Sequence, residues 1–281
     1  MKVKITADST CDLSRELAEH YGVTIRPLYV NVDGKPLRDQ LDIVPDDIFA
    51  HVERTGELCF TSACNIGEYL DLFSTLRQEY DAVIHISISS EFSSTHQNAV
   101  LAAEELENVY VVDSRNLSSG HGYLVIRACE LAERGMDAAA IVEELKASVD
   151  KVDVSFILDQ LEYLRKGGRC SSVAALGANL LKLKPCIEVV DGKMQVGKKY
   201  RGNFDKCLEQ YIRDRLADKD VLDLSRVFLT YAGISDETEA IACRVIRECI
   251  GDDVEIIRSQ AGCTVSCHCG PGTLGIILVR K

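Results

Sequence analysis

No stretch of this 281-residue sequence approaches the roughly 18 consecutive apolar residues of a membrane-spanning helix. Met1-Lys2-Val3-Lys4 passes at once into Ile5 to Asp8 with no apolar leader, so the expected compartment is the cytoplasm. Basic residues are in deficit: 32 Lys and Arg stand against 44 Asp and Glu, and the net charge of −12 opposes non-specific adhesion to nucleic acid or anionic lipid. The nucleotide-binding patterns G-x-x-x-x-G-K-[ST] and G-x-G-x-x-G are missing, as is the G-x-S-x-G elbow of a serine hydrolase. Twelve cysteines are present, but none forms a C-x-x-C pair. In a reducing compartment that scatter reads as small core residues rather than a disulfide framework or a zinc knuckle. No low-complexity linker or internal repeat interrupts a composition that is 46% apolar and 27% charged, ordinary for a globular protein. These exclusions leave a small ligand as the object of study.

Short β-rich runs alternate with amphipathic stretches, the pattern of crossover units around a mainly parallel sheet. Strands are predicted over 2–7, 24–32, 82–87 and 109–113. Helices are predicted over 13–21, 46–55 after the Pro45-Asp46 start signal, 66–79, 94–106, 120–134, 138–149 and 155–166. The texture changes near residue 155. Residues 185–190 and 194–201 flank Asp191-Gly192, which supplies the positive φ of a tight hairpin turn. A helix over 204–216, a strand over 226–231, a helix over 237–250 and strands near 254 and over 274–279 complete an α+β layout. The expected fold is therefore α/β in two domains. Residues 1–155 form a parallel sheet flanked by helices, and residues 156–281 form an α+β domain with antiparallel strands that covers a ligand site at the junction.

Hydroxyl residues crowd the ends of the N-terminal strands: Asp8-Ser9-Thr10, Thr61-Ser62, the run from Ser87 to Thr95 that contains Ser93 and Ser94, Asp113-Ser114, and Ser118-Ser119-Gly120. Ligands of open α/β sheets bind beyond the carboxyl ends of strands, where neutral donors hold an anion without a buried counter-charge. The same residues are also the preferred helix caps, so each cluster has a structural reading beside the functional one. His268-Cys269-Gly270-Pro271-Gly272 precedes the last strand; Gly-Pro-Gly suits close backbone approach, and His268 is either a carboxylate donor or a structural loop histidine. Cys263, Cys267, His268 and Cys269 invite a metal reading, which the C-x3-C-x-C spacing disfavours. Basic residues gather at Arg165-Lys166-Gly167-Gly168-Arg169, Leu183-Lys184-Pro185 and Lys198-Lys199-Tyr200-Arg201. Arg165 to Gly167 fits a helix C-cap, whereas Arg169 lies beyond it and suits an anion. No cofactor is expected.

The ordered set Asp8-Ser9-Thr10-Cys11-Asp12-Leu13, Thr61-Ser62, Ile86 to Gln97, Val112-Asp113-Ser114, Leu164 to Arg169, Leu183-Lys184-Pro185 and His268 to Gly272 resembles the DegV family of bacterial fatty-acid-binding proteins over nearly the whole chain. The resemblance implies a non-enzymatic two-domain carrier that buries one long-chain fatty acid and presents its carboxylate to a separate fatty acid kinase, which forms the acyl-phosphate. It implies a ligand-binding set of Thr61, Ser62, Ser93, Ser94, Thr95, His268 and Gly270, with Arg169 and Arg201 near the partner or the transferred phosphate. This sequence departs from the family pattern at Ser93-Ser94-Thr95, where Ser-Gly-Thr is usual, and at Ala63-Cys64-Asn65, where Gln-Pro-Ser is usual. About fourteen buried methylenes at roughly 0.8 kcal/mol each contribute on the order of 11 kcal/mol before ordering costs, so the tail sets affinity and the hydroxyls set orientation. With only three methionines, Leu, Ile, Val and Phe are expected to line the pocket. The competing reading is a Ser/His hydrolase or transferase that uses Ser93 or another loop serine with His268 on a lipid or other small acyl substrate.

Overall fold

The computed structural model describes residues 1–174 and 183–281. Strands β1 (Val3–Asp8), β2 (Thr24–Arg26), β6 (Ala82–Ser87) and β7 (Val109–Asp113) form a wholly parallel sheet in the order β2-β1-β6-β7. Every residue of β6 is buried, as expected for a central strand covered on both faces. A small antiparallel sheet in the order β4-β3-β5 contains β3 (Tyr29–Val32), β4 (Lys35–Arg38) and β5 (Phe60–Ser62). The single strand expected over 24–32 is thus two strands in two sheets, because Pro27 lacks an N–H and breaks the ladder.

The third sheet runs β10-β9-β8-β13-β11-β12, with β8 (Val152–Leu158), β9 (Leu183–Val190), β10 (Lys193–Arg201), β11 (Leu222–Ala232), β12 (Glu255–Gln260) and β13 (Thr273–Arg280). Only β11 and β12 pair in parallel. Asp191 and Gly192, at φ 51° and 80°, make the predicted hairpin turn between β9 and β10. The helix predicted over 155–166 is a correction: Val152–Leu158 is a strand and only Glu162–Gly167 is helical. The run Val-Asp-Val-Ser-Phe-Ile-Leu is rich in β-branched and aromatic residues, and pairing with β13 on one side and β9 on the other decides its state.

The long helix Ser118–Glu133 lies between the parallel sheet and the large mixed sheet, against β1 and β6 on one side and β8 and β11 on the other. It buries Leu124, Val125, Ile126, Ala128 and Leu131 in a cluster that also holds Ile5, Ile84, Val154, Phe228 and Ile277. Close approach on both sides requires its glycines. A Cβ on Gly120 would overlap Val154, and one on Gly122 would lie 2.5 Å from the Cys11 carbonyl oxygen. Ten of the twelve cysteines are buried, several of them within these clusters. Among the described residues no helix is long and apolar enough to cross a membrane.

Candidate functional site

Where the small sheet, the loop after β6, the large sheet and the short helix Cys263–Cys269 converge, they enclose a cavity of about 290 Å³. Its mouth is polar, formed by Thr61 and Ser62 of β5, Ser93 and Ser94 before the helix Thr95–Ala103, His268 of the short helix, and Arg169; Thr264 also borders the cavity but is buried, with its hydroxyl turned to Asp39. Its interior is apolar: Leu28, Ile88, Phe92, Leu117, Phe156, Leu164, Met194 and Val265. Leu, Ile, Val and Phe dominate this lining, as expected, with Met194 the one methionine among them. A second, almost wholly apolar chamber of about 40 Å³ lies beside it, between Val154, Ala261, Gly275 and Ile277. Leu117, Phe156, Val265 and Cys269 line both chambers. The two are therefore neighbours across a shared apolar wall.

His268 lies in a helix and not in the loop expected from the sequence, and its Nε2 is 2.9 Å from Thr61 Oγ1. Its Nδ1 is buried without a partner among the described residues. A Cβ on Gly167 would lie 2.5 Å from that Nδ1, so only a glycine lets the helix Glu162–Gly167 back the ring this closely. Burial presses the imidazole down to about 4, and the Arg169 guanidinium adds to the effect, so the ring is neutral at pH 7. Ser93 Oγ accepts from the Thr95 N–H at 3.2 Å and Asn31 Nδ2 donates to Ser62 Oγ at 3.2 Å. The hydrogen bond of His268 is thus to a threonine, whereas the hydrolase reading called for Ser93 or another loop serine as its partner.

The loop carrying Ser93 is held from below and from the side. Asp8, at the end of β1, accepts from the Ile88 N–H at 3.1 Å and from the Tyr69 hydroxyl. Burial opposes ionisation of Asp8, but His85 and the Tyr69 hydrogen bond hold its carboxyl below the usual range. Ser89 Oγ donates to the Gly192 carbonyl at 2.8 Å and so ties this loop to the β9–β10 turn.

Other residues singled out in the sequence fall elsewhere. Thr95 is fully buried behind the mouth, and Gly270, at φ 72°, packs against the Tyr163 ring; neither lines the cavity. Arg201 is exposed at the end of β10, away from the cavity lining, while Arg169 Nη1 donates to the Gly167 carbonyl at 2.9 Å beside the mouth. The remaining hydroxyl clusters serve internal contacts. Ser118 donates to Asp12 at 2.6 Å, Ser119 meets Thr230 at 2.5 Å, and Ser114 donates to the Asn116 carbonyl at 3.0 Å. In the basic group, Lys166 pairs with Glu162 at 2.7 Å and Lys184 with Asp159, and Gly168 at φ 69° ends its helix as the C-cap reading anticipates. Among the described residues no group of three or more His, Cys, Asp or Glu side chains is arranged to hold a metal ion.

Comparison with known proteins places this geometry in context. The model of the DegV family, which it describes as uncharacterised proteins, matches residues 2–281. A DegV domain-containing protein of Clostridium acetobutylicum is 32% identical over 282 residues, covering 100% of this chain and 99% of that one. A Thermus thermophilus structure, described as fatty acid binding of a DegV family protein, superposes with a TM-score of 0.92 at 31% identity over the full length of both chains. A stearic-acid-binding protein of Eubacterium ventriosum gives a TM-score of 0.85 at 27% identity, covering 99% of this chain and 98% of its own. With a family match across all but the first residue and an α/β fold shared end to end, this chain belongs to the DegV family.

Proposed function

We propose that this protein binds one long-chain fatty acid, without catalysis of its own, and presents the carboxylate to a separate fatty acid kinase. The observation that carries the reading is a cavity that joins a hydroxyl-lined mouth to an apolar interior, with a second apolar chamber beside it. An amphiphile with one anionic head and an unbranched tail is the complement of that shape. We assign the single ring proton of the neutral imidazole to Nε2, so that His268 donates to Thr61 Oγ1 and leaves the Thr61 hydroxyl proton free to point into the mouth. Thr61 and Ser93 then donate to the carboxylate, each bond worth roughly 1.5–3 kcal/mol because the acceptor is charged. Two structural neighbours whose descriptions name fatty acid binding support the ligand class.

Arg169, at the mouth, and Arg201, exposed on β10, are assigned to the partner surface and the transferred phosphate. A guanidinium there favours developing phosphoryl charge more than it favours a retained carboxylate. The test of the ligand is mass spectrometry of the purified protein after denaturing extraction. A fatty acid near one equivalent is expected; protein that neither carries one nor takes up added oleate would overturn the reading.

A further inference from the structure

Asp39 lies outside the cavity lining, yet its buried carboxylate receives four hydrogen bonds. Oδ1 accepts from the Cys263 N–H at 2.7 Å, while Oδ2 accepts from the Thr264 N–H at 3.2 Å, the Thr264 hydroxyl at 2.7 Å and the Ser9 hydroxyl at 2.9 Å. Three of the four come from the first turn of the helix that carries His268. Next to it, Asp12 Oδ1 accepts from the Gly262 N–H at 2.9 Å. Gly262 passes close to both carboxyl groups: a Cβ there would lie 2.5 Å from Gln40 Nε2, 3.0 Å from Asp12 Oδ1 and 3.3 Å from Asp39 Oδ1.

The other end of the linkage is the small sheet. Asp39 directly follows β4, and Val30 at the centre of β3 pairs with Leu37 of β4 on one side and with Thr61 of β5 on the other. The path from Thr61 to Asp39 thus runs across three hydrogen-bonded strands, and from Asp39 it enters the His268 helix through that helix's own backbone N–H groups. Thr61 and His268 are 207 positions apart in sequence, and their 2.9 Å contact depends on how that helix sits on the sheet.

We infer that Asp39 is a positioning residue: its carboxylate clamps the helix Cys263–Cys269 to the small sheet and so sets the Thr61–His268 hydrogen bond on which the carboxylate site depends. The inference rests on the fatty-acid reading for its binding assay, but not for its spectroscopic one. Asp39→Asn keeps the size and one acceptor while setting an amide NH2 against N–H and O–H donors.

The experiment titrates oleate against bound cis-parinaric acid in full-length wild type, Asp39→Asn, Thr61→Val and the double variant. It also records ring ¹⁵N spectra of histidine-labelled protein without ligand. Asp39→Asn is expected to weaken oleate about tenfold, the scale of one well-placed hydrogen bond, and to weaken it no further once Thr61 has lost its hydroxyl. The His268 ring signal shifts while those of His85 and His121 stay. An equal loss in the Thr61→Val background, or an unmoved His268 signal, overturns the inference. Wild type that does not bind oleate refutes the fatty-acid reading instead and leaves the spectroscopic arm to decide this one. Should Asp39→Asn fail to fold, Ser9→Ala, which removes one of the four bonds, is expected to give a smaller loss with the same dependence on Thr61, and the absence of that pattern refutes the clamp.

Discussion

Gly167→Ala is the most selective perturbation of the site, because it adds one methyl group at a single point of contact. The new Cβ would sit 2.5 Å from His268 Nδ1, and ordinary van der Waals contact begins near 3.4 Å, so the ring must withdraw by about 0.9 Å. Nδ1 and Nε2 lie on nearly opposite sides of the ring, so the push is directed at Thr61 Oγ1, and a contact of 2.9 Å leaves no room for that approach; the ring must tilt aside, and the Nε2 hydrogen bond loses its alignment. The Thr61 hydroxyl then loses the donor that turns its own proton toward the ligand. The cost in fatty-acid affinity is about 1–2 kcal/mol, or roughly five- to thirtyfold. Fold stability runs the other way: Gly167 ends the helix Glu162–Gly167, where alanine gains up to about 1 kcal/mol of helix propensity to offset the crowding. Oleate titration beside urea denaturation of the same samples reads both quantities. Weaker binding at nearly unchanged stability is the expected result. Affinity within twofold of wild type would falsify the assignment of His268 as the group that orients Thr61.

Arg169→Ala and Arg201→Ala are each expected to spare oleate affinity and to cut acyl-phosphate formation by a fatty acid kinase some ten- to a thousandfold, read as kinase turnover with each carrier variant; collapse of oleate binding would move the arginine concerned into the carboxylate site. pH supplies an independent check, because burial presses both His121 and His268 down to about 4. In each case the folded state refuses a proton that the unfolded chain accepts below about 6.5, so the contribution to stability is complete above that pH and is lost as pH falls toward 4. His121→Gln should therefore flatten the decline of the urea midpoint between those limits, and an unaltered slope would count against the buried neutral ring.

What could be read from the bare sequence follows how local each determinant is. Asp191-Gly192 announced its hairpin because positive φ is a property of those two residues. Thr61, Ser93 and His268 stood out because hydroxyls and imidazole are chemically conspicuous, and the cavity brings all three to one mouth. Asp39 gave no signal of its own. It is one acidic residue among many in a chain of this charge, and its meaning depends on a helix more than 220 positions later. Gly167 was legible only as part of a helix end, since its contact with His268 is set by tertiary packing. The hydroxyl clusters at 8–10, 113–114 and 118–120 looked like the mouth residues in composition, and only the direction of each side chain separates internal partners from a ligand. The strand Val152–Leu158 was misread because its neighbours, β13 and β9, come from later in the chain.

The helix Ser118–Glu133 has a consequence for how the protein is made. One of its apolar faces meets β1 and β6, which precede it in the chain, but the other waits for β8 and β11. Phe228, whose ring stands edge-on to Tyr123 at 6.3 Å, belongs to the last quarter of the sequence. At 5–20 residues per second the ribosome needs on the order of ten seconds to deliver the remaining strands after the helix has emerged. Through that interval a greasy surface with Gly120 and Gly122 at its head stands open beside a nearly finished sheet. The nascent chain is therefore most exposed to misassembly midway through synthesis, and most in need of a chaperone then.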